Sequence, residues 1–441
     1  MVISPTGLDL ERFPELEPSA LVRTFSAFGP LLTIIGYDRL SERLTKSFKD
    51  VVLHTYRSGE AVPEDVDVLL FPYDFRRSVA DAAERLAGAV RATLGPEASS
   101  RRRVIVVAHS MGGLVARYWI GPLGGWSLCS ALLTLGTPHR GAPKAVDWLV
   151  RGPGIGPLRH PGLRKVLRRW PSLYELLPQY PAVWDENAGR ETELTRLQPS
   201  AYAAQFATMA AAGRQVHDDI ATAWGDIPAG RAPDVIPYFG RGHATPNLIT
   251  LRPSGRLTVV KEDPAWRGNV GWAGDGTVPA LSAIPRELGE QRAVWRGMRE
   301  RHGPLTGTPS VIEVLRTYSG EPMPTRGGEA PETPWLGLDV EDVVPAGIEV
   351  AVGVTIQPEA ALAAGVQITL CAVPVTAPPV FTTVMTGSER TWRATLPALL
   401  PGRYRIEFEA RQVRGPESIF ADVDLVVLDP TREAEAAEEV L

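Results

Sequence analysis

Cysteine is scarce: Cys129 and Cys371 are the two in 441 residues. They fall in separate expected domains, which argues against a disulfide framework and fits a reducing, cytoplasmic compartment. Neither has a cysteine or histidine at metal-ligand spacing, so each reads as a small buried apolar side chain. No metal and no cofactor is expected. Lysine is also rare, five against 41 arginines, a bias of genome composition rather than of task. The formal net charge of −5 leaves no basic footprint for nucleic acid. The densest positive run, Arg101–Arg103, reads as a solvated strand entrance. No apolar run reaches the length of a membrane span, and Met1-Val-Ile-Ser-Pro-Thr-Gly lacks a signal-peptide core. What remains is ordinary for a globular protein, with 42 glycines and 40 prolines that foretell many turns and long ordered loops.

The most informative segment is Val104-Ile-Val-Val-Ala-His-Ser110-Met-Gly-Gly-Leu-Val-Ala-Arg-Tyr118. Four apolar residues read as a buried parallel strand, a tight turn follows, and an apolar-periodic helix comes after it. That context suits a nucleophile elbow, in which a strained turn lifts the Ser110 hydroxyl above the sheet. Ala108 stands where the commoner motif has glycine, and it keeps the neighbour small.

Around the elbow, strands alternate with helices, which predicts a doubly wound α/β sheet. A helix is expected over Asp38–Phe48, a buried strand over Val66–Phe71, a helix through Leu86 and Val90, and a strand over Ala131–Leu135. From 145 to 232 the strand rhythm stops, and Trp-bearing helical pieces (Leu163–Trp170, Ser200–Ala212) read as a helical cap or lid. Strands resume at Val235–Phe239 and Thr258–Val260. Residues 1–318 form the expected hydrolase-type domain and 319–335 a Pro/Gly-rich linker. Over 336–430 the period becomes two, with strands at Ile348–Ile356, Val366–Ala372, Thr391–Leu396, Tyr404–Phe408 and Ile419–Leu428. Short strands at that spacing predict an immunoglobulin-like β-sandwich. Residues 431–441 are a charged tail, read as frayed helix.

A serine hydroxyl is a poor nucleophile until a histidine base, itself oriented by a carboxylate, takes its proton. In this architecture the three follow in the order Ser, Asp/Glu, His. Of seven histidines only His302 lies after Asp275, which sits between Gly274 and Gly276 beyond the late strands. Asp275-Gly276 also reads as a plain turn, but order and spacing favour Ser110, Asp275 and His302 as one catalytic set. His109 is expected beneath the nucleophile, while His139, after a strand end, is a candidate pocket residue. His54, His160, His217 and His243 read as surface or core.

Together Phe71-Pro-Tyr-Asp-Phe-Arg76, Ala-His-Ser110-Met-Gly-Gly, Leu-Gly-Thr-Pro-His-Arg-Gly-Ala, Pro-Ser-Leu-Tyr-Glu-Leu-Leu-Pro178, Gly-Asp275-Gly-Thr-Val-Pro and Arg-His302-Gly-Pro-Leu occur in one order. Over roughly residues 30–315 the chain resembles the lecithin:cholesterol acyltransferase-like α/β-hydrolases, bacterial members most. The resemblance implies a lipid ester hydrolase or O-acyltransferase with Ser110, Asp275 and His302 as its triad. One feature departs from that pattern. The family opens on an apolar strand and a Gly turn that lie beside the nucleophile strand and complete the oxyanion hole. Here either that segment precedes Met1, or Leu31–Ile35 with Gly36 has been recruited in its place.

The expected mechanism is an acyl-enzyme on Ser110, with the Met111 backbone N–H as one oxyanion donor and the second donor unassigned. Tyr73, His139, Trp170 and Trp184 are the expected pocket residues. The acyl-enzyme then yields to water or to an alcohol, and the cap makes transient contact with a membrane surface. A competing reading is an impaired hydrolase scaffold whose β-sandwich binds a protein partner.

Overall fold

The computed structural model describes residues 9–428 apart from 15–16, 22–24, 28–31, 35–37, 96–102, 153, 156–157, 160, 195–203, 262–272, 319–333, 358–360, 364, 376, 389 and 415–417. Residues 319–333 of the expected linker, the charged tail, His160 and most of the Arg101–Arg103 run lie outside the described residues, and Trp335, expected in the linker, opens a strand.

The apolar pattern of Cys129–Leu135 organises the first part of the chain. Ala131, Leu133 and Leu135 point to one face, where they meet Leu40 and Leu44 of helix Asp38–Ser47 and Val311 and Ile312 of helix Pro309–Tyr318. Leu132 points to the other and joins helices Val79–Leu94 and Gly112–Ile120 in a second cluster. A strand buried on both faces needs apolar residues on both, and this one has them at every position but Ser130 and Thr134. It is central in a four-stranded parallel sheet ordered Arg296–Met298, Asp234–Gly240, Cys129–Leu135, Val104–His109. Helix Val79–Leu94 begins where the Ser78 hydroxyl accepts the Asp81 N–H at 3.0 Å and ends at Gly95, φ +71°.

The expected single sheet is in two pieces. Val68–Leu70 pairs in parallel with Leu53–Thr55, and this pair is separate from the elbow strand. Val104–Val107, expected to be buried, are half-buried, as are Val68–Leu70; among the described residues the elbow strand is paired on one edge alone. Leu32–Ile34 does not stand in beside it: this segment pairs antiparallel with Phe25–Ala27.

The cap is not all helix. Helices Pro143–Arg151, Pro161–Leu167, Pro171–Glu175 and Ala204–Gly225 are joined by a four-stranded sheet ordered Arg190–Thr192, Val183–Asp185, Leu248–Leu251, Leu257–Val260. The segment expected to continue the main sheet, Thr258–Val260, therefore belongs to the cap. The cause is apolar: Ile249 and Leu257 are buried with Trp170, Leu173, Leu177 and Val183 rather than with the main sheet.

The C-terminal region contains all five expected strands and four more. A four-stranded antiparallel sheet (Trp335–Asp339, Val350–Gln357, Thr391–Leu396, Thr386–Ser388) shares one core with a five-stranded sheet built on Gln367–Pro374, Gly402–Arg411 and Ser418–Leu428. Val352, Val354 and Trp392 from one side meet Ile368, Leu370, Ile406, Phe408 and Leu425 from the other. Alternate residues are buried along Gly402–Arg411, as the two-residue period requires.

Candidate functional site

Ser110 has φ +53°, a left-handed conformation that costs an L-residue roughly 1–2 kcal/mol. The turn is held because Ser110 N–H donates to the Leu135 carbonyl at 2.9 Å, and Gly113 N–H to the Ser110 carbonyl at 3.0 Å. The strand feeding the turn and the helix leaving it are thereby fixed, and the hydroxyl stands between them. A Cβ placed on Gly112 would lie 3.9 Å from the Ala108 Cβ, an ordinary contact, so alanine at 108 fits against the start of the helix without strain.

Asp275 serves its turn and a histidine at once. Its Oδ1 accepts the N–H groups of Thr277 and Val278 at 2.9 and 2.7 Å. Its Oδ2 accepts His302 Nδ1–H at 2.7 Å, and its backbone carbonyl accepts His302 N–H at 2.9 Å. The Ser110 hydroxyl donates to His302 Nε2 at 3.0 Å. Burial alone would raise the Asp275 carboxyl. The His302 imidazole, with the Val278 and Thr277 N–H groups, outweighs that and holds it below the usual carboxylate range. Gly136, φ +60°, makes room: a Cβ there would come within 2.8 Å of Asp275 Oδ2 and 3.0 Å of His302 Nδ1.

His109 lies beside this chain rather than in it. Its ring is 4.7 Å from that of His302, and its Nε2–H donates to the His302 carbonyl at 2.9 Å. Burial, then the neighbouring His302, drives its pKa down to about 3. The ring is neutral at any working pH and ties the loop carrying His302 to the elbow.

An apolar cavity of about 1620 Å³ opens at Ser110, walled there by Tyr73, Phe75, Met111, Trp148, Trp170 and Leu173. Ligand pockets commonly measure about 300–1,000 Å³. This one is larger because it continues along Val104–Val107 toward Val68–Leu70. Tyr73 and Phe75 are presented by a loop that Arg76 pins down. The Arg76 guanidinium, 1% exposed, holds both oxygens of Asp74 at 2.8 and 2.7 Å and reaches the Phe13 carbonyl. Among the described residues Met111 N–H has no partner, and it lies next to Ser110 at the head of helix Gly112–Ile120.

Two expected pocket residues lie elsewhere. His139 faces away from the cavity, because the chain turning at Gly136 presents Pro138 to it instead. Its ring is buried beside Thr134 Oγ1 at 3.2 Å and borders a small separate hollow with Arg117, His217 and Arg286. Trp184 is off the wall as well. On Val183–Asp185 it is Val183 that is fully buried toward the cap core, and alternation sends Trp184 to the opposite face. Trp148, which sequence reasoning missed, lines the cavity from helix Pro143–Arg151. Its one signal was position, five residues after the proline that starts an apolar-periodic helix.

His109, His139 and His243 are buried and held uncharged, with His109 near 3, His243 near 4 and His139 well below its usual value, each chiefly by burial. Their unfolded-state values are near 6.5. Below pH 6.5 the unfolded chain therefore binds protons that the folded chain refuses, and stability falls as pH falls toward 4. Buried Glu175 acts in the opposite sense: burial raises it to about 7, so it favours the folded state as pH drops from 7 toward its unfolded value. His217, lowered to about 4 chiefly by burial, adds a fourth histidine, so the net slope is that of about three protons, about 4 kcal/mol per pH unit between pH 6 and 5. Urea midpoints measured across that interval are expected to drop steeply, and more steeply still in Glu175→Gln. A flat profile would contradict the assignment of neutral histidines.

Among the described residues no helix is long and apolar enough to cross a membrane, and no group of three His, Cys, Asp or Glu side chains is placed to hold a metal ion. Residues 20–217 match the family model described as lecithin:cholesterol acyltransferase. No curated protein matches the chain. Among solved structures, the Bacillus licheniformis lipase BlEst2 in its propeptide form is similar over 81% of this chain and 86% of its own, at 12% identity and a TM-score of 0.34. Superoxide reductase (neelaredoxin) from Ignicoccus hospitalis is similar over 21% of this chain and 80% of its own (14% identity, TM-score 0.18). CopC from Methylosinus trichosporium OB3b is similar over 22% and 96% (15% identity, TM-score 0.18). Those scores carry no argument about activity. Over residues 20–217 the chain is thus similar to the lecithin:cholesterol acyltransferase family.

Proposed function

We propose that the chain is a serine-dependent lipid ester hydrolase or O-acyltransferase. The observation that carries this reading is the hydrogen-bonded series Ser110 Oγ, His302 Nε2, His302 Nδ1, Asp275 Oδ2 at 3.0 and 2.7 Å, beside an apolar cavity. In this reading His302 takes the Ser110 proton as the hydroxyl oxygen attacks an ester carbonyl. Met111 N–H donates to the developing oxyanion. His302 then protonates the departing alcohol while Asp275 stabilises the imidazolium, leaving an acyl group on Ser110. Water or a second alcohol, deprotonated by His302, attacks that acyl group and regenerates the serine. Trp148, Trp170, Phe75 and Leu173 favour an acyl chain over a polar substituent. The lipid class of substrate agrees with the family matched over residues 20–217.

A fluorophosphonate probe tests the assignment directly. Labelling at Ser110, together with turnover of p-nitrophenyl esters that improves with acyl length, is the expected outcome. The break in the sheet beside the elbow strand favours a second reading, an impaired scaffold whose C-terminal region binds a protein partner. No label on a cooperatively folded chain would select that reading over the first.

A further inference from the structure

His243 belongs to none of the chemistry described so far, yet it is 2% exposed and lies where three parts of the chain meet. Its backbone N–H donates to the Gly274 carbonyl at 3.1 Å, and it forms bridges with Gly274 and Asp275. Its Nδ1 accepts the Leu338 N–H at 3.0 Å, which comes from the first strand of the C-terminal two-sheet unit. An N–H aimed at Nδ1 leaves the ring proton on Nε2, and Nε2–H donates to the Arg299 carbonyl at 2.6 Å, three residues before His302. The imidazole thus ties the approach to His302 to strand Trp335–Asp339, while the backbone of the same residue holds the turn of Asp275.

Neighbouring contacts repeat the same connection. Thr245 Oγ1 donates to the His243 carbonyl at 2.7 Å and accepts the N–H groups of Gly274 and Gly276 at 2.9 Å each. The two segments touch backbone to backbone, since a Cβ on Gly337 would come within 2.1 Å of the Gly242 carbonyl oxygen. One on Gly242 would meet the Trp335 ring at 2.5 Å. Arg301, adjacent to His302, pairs with Asp342 at 3.1 Å, and Lys261 pairs with Asp339 and Glu341. Trp335, Leu336, Glu341 and Asp342 line the same cavity into which Ser110 opens.

We infer that His243 is a positioning residue for the reaction proposed above, and that through it the docked C-terminal unit holds Asp275 and His302 in register with Ser110. The inference rests on that reading of the site. It gives the C-terminal unit a task inside the hydrolase, whatever else binds to it. Displacements of about 1 Å at a catalytic group can cost roughly 100-fold in rate. Two segments that carry two of the three groups, one anchored to the ring of residue 243 and the other to its backbone, are exposed to that penalty.

The test uses the full chain. His243→Phe keeps a flat ring and removes both ring hydrogen bonds. His243→Asn restores an acceptor in the place of Nδ1 without the bond to Arg299. In His243→Phe, kcat on p-nitrophenyl butyrate is expected to fall at least about 10-fold with KM within about twofold, and the fluorophosphonate labelling rate at Ser110 to fall in parallel. His243→Asn is expected to recover part of the loss. The downfield proton resonance of the Asp275–His302 hydrogen bond should shift or vanish in His243→Phe while the chain still melts cooperatively. If His243→Phe does not fold, Trp335→Ala removes the packing on Gly242 without touching the imidazole and is expected to move the same readouts in the same direction. Folded variants that keep the wild-type kcat and the wild-type resonance would overturn the inference and leave the proposed function standing. A wild-type chain that takes no label and turns over no ester would overturn the function instead, and the resonance would still decide whether His243 positions His302.

Discussion

Ser110→Ala and Ser110→Gly are both expected to lower ester turnover by about 10⁴-fold or more, since in the proposed mechanism they remove the nucleophile and leave only binding and oxyanion stabilisation. They should differ in stability. The φ of +53° at this position is paid by alanine as by serine, roughly 1–2 kcal/mol, and glycine is relieved of it. Glycine gives back about 1 kcal/mol through the greater freedom of its unfolded chain. Ser110→Gly should therefore melt at or above Ser110→Ala, and neither should fall far below the wild type. The serine side chain contributes one bond to the half-buried cluster, at 3.0 Å to His302 Nε2. Thermal unfolding with ester turnover on the same preparations checks both parts. Turnover retained in Ser110→Ala would remove Ser110 from the mechanism. A Ser110→Gly chain markedly less stable than Ser110→Ala would mean that the strained elbow is relaxed in solution.

Ser110, Asp275 and His302 were legible in the sequence because each stands in a local pattern with its own turn chemistry. The elbow is a strand, a small-residue turn and a helix in immediate succession. Asp275-Gly276 is also a turn, and its two readings prove compatible: one carboxylate oxygen caps the turn and the other faces His302. The alternating strands beyond residue 348 were readable for the same local reason, a period of two over five segments. Trp184 and Trp148 were not readable, because which tryptophan meets the cavity depends on how short cap elements pack against each other. Their strands are three or four residues long, too short to show a period. Nor does the strand Leu257–Val260 carry a mark of its sheet. Its partner across the hairpin, and the buried Val183 beyond that, decide it. His243 reads in sequence as surface or core without a role, since its partner Leu338 lies 95 residues away and donates through its backbone. Contacts made by main-chain atoms leave no trace in side-chain identity. That the valines of the elbow strand are half-buried required coordinates.

Asp275→Asn tests the electrostatics of the site with almost no change of shape. The Thr277 and Val278 N–H groups require an oxygen at the Oδ1 position, so the new amide must present its NH₂ to His302. His302 Nδ1 then has to accept rather than donate, and its proton moves to Nε2, where it faces the Ser110 hydroxyl. A base that already carries its proton on the reacting side cannot take the serine proton. Loss of the carboxylate also leaves the imidazolium of the transition state without its counter-charge in a site where Asp275 is 1% exposed. Turnover at neutral pH is expected to fall by about 10³–10⁴-fold, with KM nearly unchanged because Asp275 does not bind the acyl chain. Nitrogen-15 NMR of His302 should show the proton on Nδ1 in the wild type and on Nε2 in the variant. Asp275→Ala, which leaves His302 Nδ1 free to keep its proton, is expected to retain more activity than Asp275→Asn at the same pH. If the asparagine variant instead works within about tenfold of the wild type while its tautomer is reversed, proton transfer through His302 is not what limits the reaction, and the role given to Asp275 fails with it.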